Sequence, residues 1–258
     1  EWLGRGIHII TPNKKAGTAP IAEYRRIMET AREHQRHFLY ETTVGAGLPI
    51  IGTLRELIRT GDIIERVEGV FSGTLAYLFW KFDGKTPFSS LVREAKELGF
   101  TEPDPRDDLS GMDIVRKTVI LAREIGFEVE VDQVPVRSLV PDALADPSVV
   151  PIDEFLERLE EADDEIADLY RAAEGRGKVI KYAGIIESDG SCAVELREYP
   201  RDHSFAGITG SDNIVAFTTA RYHDQPLVVQ GPGAGPEVTA GGIFADLLRL
   251  AAYLGAKL

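Results

Sequence analysis

The sequence predicts an α/β protein of the α+β kind, a mixed sheet with helices packed on it. Three observations predict it. Residues 7–10 and 38–42 are short apolar runs of buried-strand type, and a charged amphipathic stretch at helical spacing, 21–36, lies between them. Residues 178–187 and 192–199, joined around Asp189-Gly190, alternate as the two arms of a hairpin. Two further strand-like runs, 213–219 and 226–230, follow close behind.

Taken in order, residues 1–5 read as the end of a helix closed by Gly6. Strand 7–10 leads into Thr11-Pro12-Asn13-Lys14-Lys15. An open parallel sheet places its ligand crevice outside the carboxyl ends of its strands, so a lysine here serves a cofactor or substrate, or else decorates a solvated turn. After strand 38–42 comes Thr43-Val44-Gly45-Ala46-Gly47-Leu48-Pro49. Its glycines let the backbone curl, which suits either a strand-to-helix turn or several carbonyls aimed, with one carboxylate, at a hard cation. Residues 50–60 read as a helix ended by Gly61, and 63–71 as a strand. Ser72-Gly73-Thr74 then opens an apolar helix over 75–82, as an ordinary cap or as an anion-binding N-terminus. A helix over 88–98 follows, then two very acidic helices over 152–159 and 164–173 whose charge reads as a solvated face. The chain closes with the glycine-rich segment 231–237 and a helix over 238–254. Those glycines have the wrong spacing for a dinucleotide fingerprint, and no acidic residue can follow twenty positions on.

With 258 residues, 43% hydrophobic, the chain can bury a substantial core. A net charge of −13 opposes nucleic acid or an anionic membrane as the main partner, and no apolar run reaches the length of a membrane span. The single cysteine, Cys192, permits no internal disulfide and fits a reducing compartment. The chain begins at Glu1 rather than Met and its first elements read as the middle of a domain, so a preceding segment is expected. A cytoplasmic protein is expected, with an organelle left open because any leader would lie in that segment.

The densest chemistry lies over residues 99–117, where Glu102, Asp104, Asp107, Asp108 and Asp113 crowd ahead of Lys117. Pro103 and Pro105 bias Glu102 and Asp104 away from helical angles, which predicts a stiff, extended loop. Ser110 with Asp113 three residues on resembles a capping box, and Ile114, Val115, Thr118, Leu121, Ala122 and Ile125 continue at helical spacing. Asp113 and Lys117, four apart and roughly 40° around the axis, can touch, on the side away from the apolar stripe. The pair reads as a solvent-facing ion pair. The rigid acidic loop beside it gives the other reading: carboxylates that hold an ammonium, and a lysine that gives a proton, form a site for a small amino acid with a reacting oxygen.

The run TEPDPRDDLSGMDIVRK, with FSGTLAYLF and VGAGLP upstream, closely resembles homoserine dehydrogenase, most of all the dehydrogenase part of bifunctional aspartokinase–homoserine dehydrogenases. The likeness runs from about Gly6 to the last residue and matches the later portion of that enzyme. It implies reversible NADPH- or NADH-dependent reduction of L-aspartate 4-semialdehyde to L-homoserine, in threonine, methionine and isoleucine biosynthesis. By the matching motifs, Lys117 is the proton donor with Asp113 and Lys14 beside it. Gly73, Thr74, Phe100, Glu102, Asp108 and Asp113 bind substrate, and Lys14 and Gly235 approach the cofactor. Glu41 with the carbonyls of Val44, Ala46 and Leu48 holds a sodium ion. Phe100 stands where many members have tyrosine.

The resemblance further implies a remnant of a Rossmann-like nucleotide domain over 1–40 and a substrate-binding, catalytic and dimerisation domain over 41–230. Residues 231–258 return to the nucleotide domain, whose phosphate-binding turn would precede Glu1. A homodimer is expected. The rival expectation is a catalytically silent substrate-binding and dimerisation module, since the dinucleotide fingerprint is absent from these residues.

Overall fold

The computed structural model describes residues 1–257. Strand β1 (Ile9–Ile10), helix α1 (Ile21–Glu33) and β2 (Phe38–Leu39) form a strand–helix–strand unit, the strands pairing in parallel with Ile9 opposite Phe38. Both strands are shorter than the apolar runs that encode them. After β2 the chain turns through one 3-10 turn, Glu41–Thr43, and the Gly45–Gly47 loop into α2 (Ile50–Arg59).

The larger sheet is five-stranded and antiparallel, in the order β5-β4-β3-β6-β7, with β3 (Ile64–Val70) at its centre. The hairpin of β4 (Lys178–Glu187) and β5 (Cys192–Pro200) pairs from Lys178–Pro200 to Ile186–Cys192. β6 (Asp212–Thr219) and β7 (Leu227–Pro232) complete it. The expected mixture of strand directions thus resolves into a parallel pair and a separate antiparallel sheet. The outer edge of β5 is covered at Val194 by the chain's own Pro135–Arg137 stretch, which trades backbone hydrogen bonds with it.

Period-2 alternation sends Val67, Ile180, Tyr182, Ile186, Val194, Val215 and Phe217 to one face, where they share the main core with Ile114, Val115 and Val119. The other face carries a smaller cluster, Val70, Ala183, Ile185, Ile214 and Ala216, under Tyr199, Phe205 and Ile208. The remaining helices are α3 (Gly73–Lys81), α4 (Phe88–Glu97), α5 (Pro105–Leu109), α6 (Met112–Ile125), α7 (Ile152–Arg158), α8 (Asp163–Gly175) and α9 (Pro236–Tyr253). Among the described residues no helix is long and apolar enough to cross a membrane.

Two local expectations are corrected. The proline-stiffened loop is extended only to Asp104, which caps α5, with Pro105 at its first turn, where a missing N–H costs nothing. Ser110 therefore ends α5 instead of starting α6, and no capping box forms. Gly111, at φ 73°, makes the left-handed turn between the two helices, leaving the Asp113 carboxylate free for other partners.

Candidate active site

Helix α6 is buried almost all round, Lys117 included, so Lys117 does not lie on a face turned away from the apolar stripe. Its stem runs through the core. The ammonium donates to Asp113 Oδ2 at 2.8 Å and to the carbonyl oxygen of Phe71, at the end of β3, at 2.6 Å. With three protons on the nitrogen, one N–H is left for a ligand. Lys14, in the loop after β1, stands 3.3 Å from Asp113 Oδ1, so this carboxylate is shared by two ammonium groups from different parts of the chain.

Burial pushes Lys117 below the ordinary lysine range; the charge and hydrogen bond of Asp113 oppose this, and the nearby Lys14 ammonium reinforces it. Burial alone would raise Asp113, but Lys117 and Lys14 outweigh it and hold the carboxyl below its usual range. Asp108 goes the other way, raised by burial despite two hydrogen bonds. Those bonds pin the acidic loop: the Glu102 N–H donates to Asp108 Oδ2 at 2.8 Å, and the Thr74 hydroxyl, in the first turn of α3, lies 2.8 Å from Asp108 Oδ1 and 2.6 Å from the Phe100 carbonyl. Gly73 opens the same turn, where the N–H groups have no helical partner; the Ser72 hydroxyl accepts from Leu75 N at 3.2 Å. The Phe100 ring packs at a tilt against Tyr77, centroids 4.7 Å apart.

Lys14, Glu102, Asp108 and Asp113 line one cleft of about 500 Å³, with Arg116 and Met112. The Glu102 side chain is exposed there and takes no hydrogen bond among the described residues, so it is a free acceptor for an ammonium. A larger cleft, about 630 Å³, lies between α1, β2, α2 and α9 and is lined by Arg32, Arg36, Arg55, Arg59 and Arg249. Arg55 is neutralised by Glu124, and Arg249 by Asp246 and Glu41. Having no lysine and no free carboxylate pair, it lacks the acid–base groups of the smaller cleft.

The Glu41 carboxylate accepts from Ile51 N at 2.6 Å and Gly52 N at 2.8 Å, capping α2, and lies 3.4 Å from Arg249. Burial raises its pKa, against that arginine and those N–H groups. The Leu48 carbonyl accepts from Ile50 N, whereas the buried Val44 and Ala46 carbonyls accept no hydrogen bond among the described residues. Gly45 and Ala46 are left-handed, which curls this stretch; carbonyls without a hydrogen bond and one carboxylate are the donor chemistry that suits a hard monovalent cation, with Arg249 already sharing that carboxylate. Gly235 caps α9 at φ 116°, two residues beyond Gly233, whose backbone crosses over the Asn213 side chain.

Two supports were not read from the sequence. Arg106, buried, grips Asp104 and the Leu144 and Val150 carbonyls, fixing the acidic loop from behind. Asn213 donates from Nδ2 to the same Phe71 carbonyl that takes Lys117, at 3.1 Å. An asparagine opening the apolar strand 213–219 was the one available signal, since amides are scarce in such strands.

The fold and site together define an α/β protein in which a buried lysine, Lys117, is paired with Asp113, one of the carboxylates that line a cleft of small-molecule size. The family model for homoserine dehydrogenase matches residues 49–248. The chain is 56% identical to a chloroplastic bifunctional aspartokinase/homoserine dehydrogenase of Zea mays over 99% of its length, spanning 28% of that protein. It is 46% identical to the homoserine dehydrogenase of Schizosaccharomyces pombe, with all of this chain and 70% of that protein covered. A hyperthermophilic archaeal homoserine dehydrogenase solved in complex with NADPH superposes with a TM-score of 0.70 at 25% identity, over 99% of this chain and 66% of that one. The chain belongs to the homoserine dehydrogenase family.

Proposed function

We propose that this chain supplies the substrate site and proton-transfer group of an NAD(P)-dependent homoserine dehydrogenase, interconverting L-aspartate 4-semialdehyde and L-homoserine. One observation carries the reading: a buried lysine is held by the Phe71 carbonyl and by Asp113, and Asp113 itself lines a cleft whose exposed carboxylate, Glu102, has no hydrogen-bond partner among the described residues. In the reductive direction the aldehyde oxygen gains negative charge, and Lys117 stabilises it and gives the proton. In the oxidative direction the neutral Lys117 amine removes the hydroxyl proton. Glu102 binds the substrate ammonium, Asp108 keeps the Glu102 backbone in place, and Asp113 orients Lys117. Phe100 closes the cleft beside Tyr77, and the N–H groups of Gly73 and Thr74 receive the substrate carboxylate.

The NADPH complex of the archaeal relative supports a nicotinamide cofactor here. Lys14 and Gly235 would face it, and when bound the nicotinamide supplies or accepts the hydride. A sodium ion held by Glu41 and the Val44, Ala46 and Leu48 carbonyls would brace the loop between β2 and α2. A homodimer built on the hairpin of residues 178–199 meets a β5 edge already covered at Val194 by Pro135–Arg137, so the outer edge of β7, which pairs with no further described strand, is the edge left for a second copy; sedimentation velocity showing only monomer at micromolar concentration would count against the dimer.

The deciding experiment is steady-state kinetics of Lys117→Ala in the complete enzyme that contains this chain. The expected result is a kcat lower by roughly two to four orders of magnitude with little change in the KM for homoserine. A near-native kcat would refute the assignment.

A further inference from the structure

Lys117 is not the only side chain that ends on the Phe71 carbonyl. Asn213, fully buried on β6, donates its amide N–H to the same oxygen at 3.1 Å, while Lys117 donates at 2.6 Å. Only the nitrogen of an amide can donate, so the carbonyl fixes which way the Asn213 amide lies. That orientation leaves Asn213 Oδ1 buried with no partner among the described residues. An unpaired buried acceptor is costly, and an apolar residue of the same size would avoid it. Gly233 closes the space above: a methyl group on it would overlap the Asn213 side chain, so this amide cannot swing away.

We infer that Asn213 is a positioning residue for Lys117, holding the Phe71 carbonyl in place and sharing its lone pairs so that the ammonium is anchored without being over-bound. This rests on the reading of Lys117 as the proton-transfer group. The groups that face Lys117 are Asp113 from its own helix, Lys14 from the loop after β1, Asp108 from α5 and the Phe71 carbonyl from β3. Of these, only the carbonyl is in contact with Asn213. Taking away the Asn213 N–H leaves the carbonyl oxygen a stronger acceptor for the ammonium, so Lys117 holds its proton more tightly.

The test is the pH dependence of homoserine oxidation by the complete enzyme, comparing wild type with Asn213→Leu, Asn213→Val and Lys117→Ala. Leucine approximates the amide in size, and valine, smaller and at home in a strand, serves if leucine is too large beneath Gly233. Oxidation needs the neutral amine, so its rate rises with pH through the lysine limb. In either folded Asn213 variant that limb should move to higher pH by roughly half a unit or more, with kcat at neutral pH lower by roughly three- to tenfold and KM for homoserine unchanged. An Asn213 variant whose limb stays in place, beside a Lys117→Ala enzyme that has lost both limb and rate, overturns the inference and leaves the reading of Lys117 intact. A Lys117→Ala enzyme that keeps limb and rate overturns both.

Discussion

Replacing Asp113 by asparagine should destabilise the protein and do so in a pH-dependent way. The carboxylate lies 2.8 Å from Lys117 and 3.3 Å from Lys14, so Asp113→Asn leaves two ammonium groups facing each other with their common counter-charge gone. At 2.8 Å the Coulomb attraction to Lys117 is about 6 kcal/mol for an effective dielectric constant of about 20, and about 1.5 kcal/mol in water. The Asp113 side chain is 40% exposed, so solvent screens the pair, and the net loss at neutral pH should be about 1–3 kcal/mol. The sign with pH follows from Lys117. Burial already depresses its pKa, and without Asp113 the folded-state value falls further below that of the unfolded chain. A lysine depressed in this way penalises the folded state fully below its folded pKa, and the penalty fades as pH rises toward the unfolded value near 10.4. Denaturant unfolding at pH 7 and near pH 10 would measure both effects. A difference from wild type below about 0.5 kcal/mol at pH 7, or one that stays the same at the two pH values, would refute the reasoning.

Glu102→Ala should chiefly raise the KM for homoserine, with kcat changed far less, because an ammonium contact is made equally in ground and transition states; initial-rate kinetics in the complete enzyme would show a kcat-only effect if this is wrong. Arg106→Leu removes the guanidinium that holds Asp104 and two buried carbonyls, so it should lower stability by about 2–4 kcal/mol and raise KM through a loosened loop; unchanged unfolding midpoints would count against the bracing role. Glu41→Gln should weaken sodium binding, read as a loss of sodium-23 line broadening, and destabilise α2 by about 1 kcal/mol through its cap; equal broadening by wild type and variant would remove the cation site.

Local chemistry made much of this protein legible from the sequence. The hairpin of β4 and β5 falls where alternation and Asp189-Gly190 place it, because strand period and turn residues are short-range properties. Helices α2, α4 and α9 likewise start and stop within two residues of their apolar periodicity. Asp113 and Lys117 touch as their spacing on one helix requires. The sequence did not determine what surrounds them. A helix that reads as one-sided is buried nearly all round, since the sheet, α2 and the acidic loop cover faces that periodicity assigns to solvent. Ser110 followed by Asp113 lost its capping role to α5, a competition between neighbouring helices that no single spacing records.

The pairing of Asp113 with Lys14, about a hundred residues earlier, exists only once the loop after β1 meets the start of α6. The meeting of Lys117 and Asn213 on the Phe71 carbonyl draws on three separate segments. One peptide carbonyl there is the anchor, and a backbone atom leaves no mark in residue type. The sequence by itself determined which side chains have the chemistry; only the tertiary structure decided which are desolvated and what each one touches, because burial and lone-pair sharing arise from segments far apart in the chain.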